Sequence, residues 1–169
     1  YYYVNKSSLP KVYGGFNTSL SWKGFDLSAI FAYSIGGYIY NRDVTMILHN
    51  GSLEGRDWST EILRRWTPDN RYTDVPALST TSNNWNSAST RFLQNNSYMR
   101  LKNLTLSYNL PKQWISKLSL SSVQVYVQGD NLFTIHRNQG LDPEQGITGI
   151  TYYRYPAMRT ISGGINVSF

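Results

Sequence analysis

The sequence predicts an all-β fold of antiparallel strands that cross a membrane as the wall of a barrel. Three observations carry this expectation. Five stretches of roughly ten residues alternate apolar with polar side chains, which in a strand produces one dry and one polar face. Short and long connections alternate between them, as periplasmic turns and extracellular loops do in outer-membrane barrels. Aromatic residues reach 15%, with 14 Tyr, while charged residues also stop at 15%; soluble chains carry roughly 25% charged residues.

The last stretch, Arg159 to Phe169, shows the pattern most cleanly. Ile161, Gly163, Ile165, Val167 and Phe169 share one parity; Thr160, Ser162, Gly164, Asn166 and Ser168 share the other. About 9–11 tilted residues cross a bilayer as a β-strand, so this length fits a span ending on an interfacial aromatic ring. No apolar run approaches the roughly 20 residues that a membrane helix needs.

From the start, Ser7 to Lys11 reads as loop. Phe16, Thr18, Leu20 and Trp22 then share a face, Lys23-Gly24 is a tight-turn candidate, and Phe25, Leu27, Ala29, Phe31, Tyr33 and Ile35 restart the pattern. The interval 36–97 is long, and loops of that length are usually functional. Residues 43–49 are weakly helical. Asp57 to Trp66 reads as a better helix, with Asp57 and Glu61 as N-terminal charges, Arg64 and Arg65 at its end and Pro68 beyond. Alternation returns with Leu104, Leu106 and Tyr108. Extended backwards, that parity places Arg100 and Lys102 on the dry face, at about 2–4 kcal/mol each at the bilayer midplane and about 0–1 near the interface. The first residues of this strand therefore either lie above the membrane or contain a bulge. Val123, Val125 and Val127 mark the next strand, and Gly140 to Glu144 holds the turn chemistry of a second long loop.

Strands are thus expected at about 13–23, 25–35, 98–109, 121–134 and 158–169, with extracellular loops at about 1–12, 36–97 and 135–157. An odd number of spans leaves edges that lipid does not tolerate, so 1–169 reads as part of a barrel whose remainder lies elsewhere. The C-terminus is expected in the periplasm.

Candidate chemistry is sparse. His49 and His136 are the only histidines and neither has a ligand or triad partner at a recognisable spacing. Asp142 and Glu144 flank Pro143 as a turn rather than a calcium site, which wants 6–8 oxygens. With no cysteine, thiolate metal sites are excluded. No cofactor, no metal and no enzymatic activity are expected. The net charge of +6 is scattered, which does not make the basic stripe of a nucleic-acid binder; contact with outer-membrane lipid head groups explains it more simply, and diffuse solubilising charge more simply still. Trp58, Trp66, Tyr72 and Trp85 are candidate substrate or partner contacts, although the spacing of Trp58, Ile62 and Trp66 at i, i+4, i+8 more often means packing of a loop helix. Trp22, Phe25, Tyr108 and Phe169 are the candidate membrane-interface girdle. A soluble carbohydrate-binding β-sandwich or a passive porin-like barrel are the alternatives.

Several stretches resemble the C-terminal region of the SusC/RagA family of TonB-dependent outer-membrane transporters. These are Tyr13-Gly-Gly-Phe16, Trp22-Lys-Gly-Phe-Asp-Leu27, Arg65-Trp-Thr-Pro68 and Tyr98 to Pro111. Gly129-Asp-Asn-Leu-Phe-Thr134, Leu141-Asp-Pro-Glu144 and Tyr155-Pro156 follow in the same order. The resemblance implies a barrel of 22 strands around a plug, in the Gram-negative outer membrane. It also implies energy from the TonB complex, a SusD-like surface lipoprotein as partner, and a glycan or oligopeptide as bulky nutrient.

Overall fold

The segments with the strongest alternation hydrogen-bond to one another in a single sheet. In chain order the elements are β1 (Val12–Trp22), β2 (Phe25–Ile35), β3 (Tyr38–Asn41), α1 (Arg42–Ile47), β4 (Leu93–Asn95), β5 (Tyr98–Asn109), α2 (Lys112–Ile115), β6 (Ser122–His136), β7 (Ile150–Thr151) and β8 (Thr160–Ser168). This computed structural model describes residues 3–49, 51, 53, 55–79, 85–118, 120–138, 140, 142–144 and 146–169. It divides into two units, one of 10–37, 96–144 and 155–169, the other of 1–9, 38–95 and 145–154.

The first unit is a five-stranded sheet in the order β1-β2-β5-β6-β8, with every neighbouring pair antiparallel. β1 and β2 close on a two-residue turn in which Lys23 and Gly24 adopt φ 48° and 87°. Positive φ at both positions matches the right-handed twist of the flanking strands, and glycine accepts it without strain. A bulge interrupts the centre of the sheet. Opposite β2, Ile30↔Asn103 is followed by Phe31↔Leu101, leaving Lys102 as the extra residue. Opposite β6, Asn103↔Asp130 and Leu101↔Phe133 leave Asn131 and Leu132 across from Lys102, and Asn131 takes φ 52°.

That bulge decides between the two readings of Arg100 and Lys102. It shifts parity by one residue. Leu101 and Met99 stay on the apolar face with Phe31 and Tyr33, while Arg100 turns to the polar face beside Ala32 and Thr134. Among the described residues of this unit, the buried large apolar side chains and alanines are Ala29, Leu101 and Ile115. No second layer covers the apolar side of this sheet among the described residues, so that side is exposed.

The other unit holds a small sheet in the order β4-β3-β7, antiparallel on one side of β3 and parallel on the other. Strands of two to four residues are too short for alternation to announce them. Ile39, Leu48, Ile62, Val75 and Phe92 are buried here. Asn41 caps α1 by accepting the Val44 N–H at 3.1 Å. The helix expected over 57–66 is shorter and tighter than its sequence suggests, a 3₁₀ segment over Thr60–Arg64 begun by Ser59. It ends because Arg65 is extended (ψ 155°) and the Trp66 N–H donates to Val75 O at 2.8 Å. Trp58 and Trp66 therefore lie outside it, partly exposed, and only Ile62 of the expected stripe is buried. Residues 80–84, inside the Ser/Thr/Asn-rich stretch 79–90, lie outside the described residues, as does Leu141.

Candidate functional site

Strand pairing converts parity into rows that run across the sheet. Trp22, Phe25, Tyr108, Val125 and Ile165 form one row on the apolar face, and Leu20, Leu27, Leu106, Val127 and Gly163 the next. Phe16 stacks on Phe31 with ring centroids 4.7 Å apart, and Phe25 leans on Tyr108 at 4.5 Å. Leu20 is 66% exposed, Val127 48% and Ile165 65%. Phe31, Val125 and Ile165 thus lie along this outward face, not together in a closed interior. A patch of this extent on five adjacent strands far exceeds the few hundred Å² that soluble monomers ordinarily expose.

Three of the four girdle candidates, Trp22, Phe25 and Tyr108, are neighbours in the end row. The fourth, Phe169, follows β8 on the parity of Ile165 and Val167 and is almost fully exposed. Pattern reading missed Trp114. It stands in the connection between β5 and β6, outside any alternation, and is 64% exposed.

The opposite face is polar and largely self-satisfied. Asp26 accepts from Ser21 Oγ and from Asn109 Nδ2, Asp130 accepts from Asn103 Nδ2 at 2.7 Å, and Gln124 donates to Ser107 and Asn109. Side chains on this face make a hydrogen-bonded lattice suited to water.

At the far end of the sheet lies a clamp built from four charges. The Arg100 guanidinium donates to Asp142 Oδ1 at 2.6 Å, to Glu144 Oε2 at 2.8 Å and, through Nε, to Thr134 Oγ1 at 2.9 Å. Side-chain exposure is 4% for Arg100 and 8% for Asp142. Lys102 Nζ reaches both oxygens of Glu144. Burial by itself would raise the Asp142 carboxyl; the backbone N–H groups of Ala157 and Glu144 and the Arg100 guanidinium outweigh it and hold the carboxyl below its usual range. A cleft of about 470 Å³ adjoins the clamp, lined among others by Arg100, Thr134, His136, Asp142 and Arg159. The sequence contained a hint of this clamp: two cations and two anions, each pair spaced i, i+2. Nothing local said they would meet.

The loop aromatics are not gathered in one place by any contact among the described residues. Trp58 packs edge-to-face on the fully buried His49 at 5.3 Å, and the Arg91 guanidinium lies 3.4 Å from the Trp85 ring. Tyr72 is fully exposed. His136 Nδ1 lies 2.9 Å from Asn138 O. Among the described residues, no group of three or more His, Cys, Asp or Glu could hold a metal ion, and no helix is long and apolar enough to cross a membrane.

No known protein-family profile matches the chain. It is 34% identical over 166 residues to TonB-dependent receptor P3 of Formosa agariphila, covering 92% of this chain and 16% of that protein. It is 27% identical over 168 residues to TonB-dependent receptor SusC of Bacteroides thetaiotaomicron, covering 99% of this chain and 16% of that one. The solved structure of the RagAB peptide importer in its closed-closed state superposes with a TM-score of 0.86 at 35% identity, over 98% of this chain and 18% of that one. The chain belongs to the SusC/RagA family of TonB-dependent receptors.

It spans about one-sixth of the length of the curated relatives it matches. Those relatives are named as TonB-dependent receptors, and the superposed structure as a peptide importer. Family membership also gives the clamp a context, because the motifs of the resemblance converge on it. Arg100 and Lys102 come from the Tyr98–Pro111 stretch, Asp142 and Glu144 from the Leu-Asp-Pro-Glu turn, and Ala157 directly follows Tyr155-Pro156. The Gly129-Asp-Asn-Leu-Phe-Thr stretch supplies the bulge. Asn131 tolerates its positive φ, and a Cβ on residue 129 would sit 2.6 Å from a Leu132 methyl.

Proposed function

We propose that this chain is the C-terminal portion of the barrel wall of a TonB-dependent outer-membrane importer of a bulky nutrient, glycan or oligopeptide, working with a SusD-like lipoprotein. One observation carries the reading. Five antiparallel strands present a continuous, exposed apolar face and a hydrogen-bonded polar face, the division a barrel wall needs between lipid and lumen. The open edges of β1 and β8 pair with the remaining strands of a 22-stranded barrel, which closes around a plug coupled to the TonB complex.

In this reading segments 13–23, 25–35, 98–109, 121–134 and 158–169 are the spans, and 1–12, 36–97 and 135–157 face the exterior. The C-terminus is periplasmic. Trp22, Phe25, Tyr108 and Phe169 form the periplasmic girdle. Trp58, Trp66, Tyr72 and Trp85 are candidate contacts for nutrient or lipoprotein, with the fully exposed Tyr72 the best placed. A soluble sandwich would require the apolar rows to be covered by a second layer, and Leu20 and Ile165 are both about two-thirds exposed. The relatives' names speak against a passive porin.

Cysteine topology mapping in the full-length transporter tests this. With a membrane-impermeant maleimide, Tyr72→Cys is expected to label in intact cells and Lys23→Cys only after permeabilisation. Labelling of Lys23→Cys in intact cells sinks the orientation, and growth on the nutrient without TonB sinks active import.

A further inference from the structure

The geometry points to an anionic phospholipid site at the hairpin end of the sheet, with head-group phosphate held by Lys23, Lys112 and Lys117 between the exposed rings of Trp22 and Trp114. This rests on the barrel-wall reading above and goes beyond it by naming a lipid class. The turn and the connection are neighbours: Asn109 N–H donates to Gly24 O at 2.8 Å, which brings residues 23–24 beside the start of α2. Lys23 Nζ lies 4.9 Å from the Trp22 ring centroid. Its ammonium is therefore drawn toward the outward, apolar side of the sheet, where a lipid phosphate would lie. Buried Ile115 anchors the connection while Lys112, Trp114 and Lys117 remain exposed.

Charge complementarity selects the occupant. Segments 12–35, 103–129 and 160–169 contain one acid, Asp26. It faces the polar side, engaged by Ser21 and Asn109. Lys23, Lys112 and Lys117 make no salt bridge among the described residues. Three uncompensated ammonium groups beside interfacial tryptophans match a bilayer surface bearing phosphates without counter-charge, as in phosphatidylglycerol. Phosphatidylethanolamine carries its own ammonium and competes poorly. The short connections face the periplasm in the barrel-wall reading, so the source is the phospholipid leaflet.

The test uses the full-length transporter in nanodiscs of phosphatidylethanolamine with phosphatidylglycerol or with lipid A. Retained lipids are counted by native mass spectrometry. Wild type is expected to keep phosphatidylglycerol selectively, and Lys23→Gln, Lys112→Gln and Lys117→Gln to weaken retention roughly fivefold per lysine. Unchanged retention in the triple variant overturns the site, as does a preference for lipid A. A spin label on Leu20→Cys, read in the same nanodiscs, separates the two levels. A label quenched by oxygen but not by a water-soluble nickel chelate, together with no phosphatidylglycerol selectivity, defeats only this inference. A water-accessible label defeats the membrane reading as well.

Discussion

Asp142→Asn is the most informative single change, because it removes a charge while keeping the shape. Asp142 Oδ1 accepts both the Arg100 guanidinium and the Glu144 N–H, and Oδ2 accepts the Ala157 N–H. An asparagine has one acceptor oxygen. Turned toward Arg100, it places its own NH₂ against the Ala157 N–H; turned the other way, it presents donors to a buried guanidinium. Removing one partner of a buried ion pair typically costs about 3–5 kcal/mol. Glu144 still faces Arg100 at 2.8 Å, so the low end, about 3 kcal/mol, applies. That corresponds to roughly a 100-fold increase in local opening, at about 1.4 kcal/mol per tenfold. Hydrogen exchange in the full-length protein would read it at the Ala157 and Glu144 amides, since a loop anchor opens locally without unfolding the sheet. Replacing both partners, as Arg100→Met with Asp142→Leu, is expected to restore much of the loss. Protection within twofold of wild type in Asp142→Asn would refute the clamp as the loop's anchor.

The remaining predictions concern pH, the membrane face and strand packing. The folded-state carboxyl of Asp142 is depressed, so its contribution is complete above the unfolded value of about 3.9 and disappears as pH falls through the folded value. Ala157 protection, corrected for intrinsic exchange, should be flat from pH 8 to 5 and fall below about pH 4. Leu104→Lys, in the middle of the apolar face, should cost about 2–4 kcal/mol in lipid. Thr105→Lys on the polar face should cost well under that, and equal losses in bilayer unfolding titrations would contradict the facing. Gly15→Ala places a Cβ 2.8 Å from the Phe31 backbone oxygen. Backbone cannot swing aside as a side chain can, so a loss of about 1–3 kcal/mol is expected from thermal unfolding.

Alternation is a local property, and it let Leu20, Leu27, Leu106, Val125 and Ile165 be assigned to one face without any knowledge of their neighbours. The same logic stopped at Arg100 and Lys102. A bulge belongs to a pair of strands, and its extra residue is defined only against Ile30–Phe31 on one side and Asp130–Phe133 on the other. Nor could periodicity show the small sheet of β3, β4 and β7, whose members hold at most two repeats of the pattern. The helix over 57–66 contracted because the Trp66 amide found a better acceptor in Val75 than in its own turn.

What the chain determined by itself is therefore the division of its strands into a dry side and a wet side, since a two-residue period needs no partner to be read. The motif resemblance added the family. Tertiary structure alone decided where the charges went. Arg100 and Asp142 lie 42 positions apart, and their meeting depends on a register shift in β5 and on the path by which the loop after β6 returns over it.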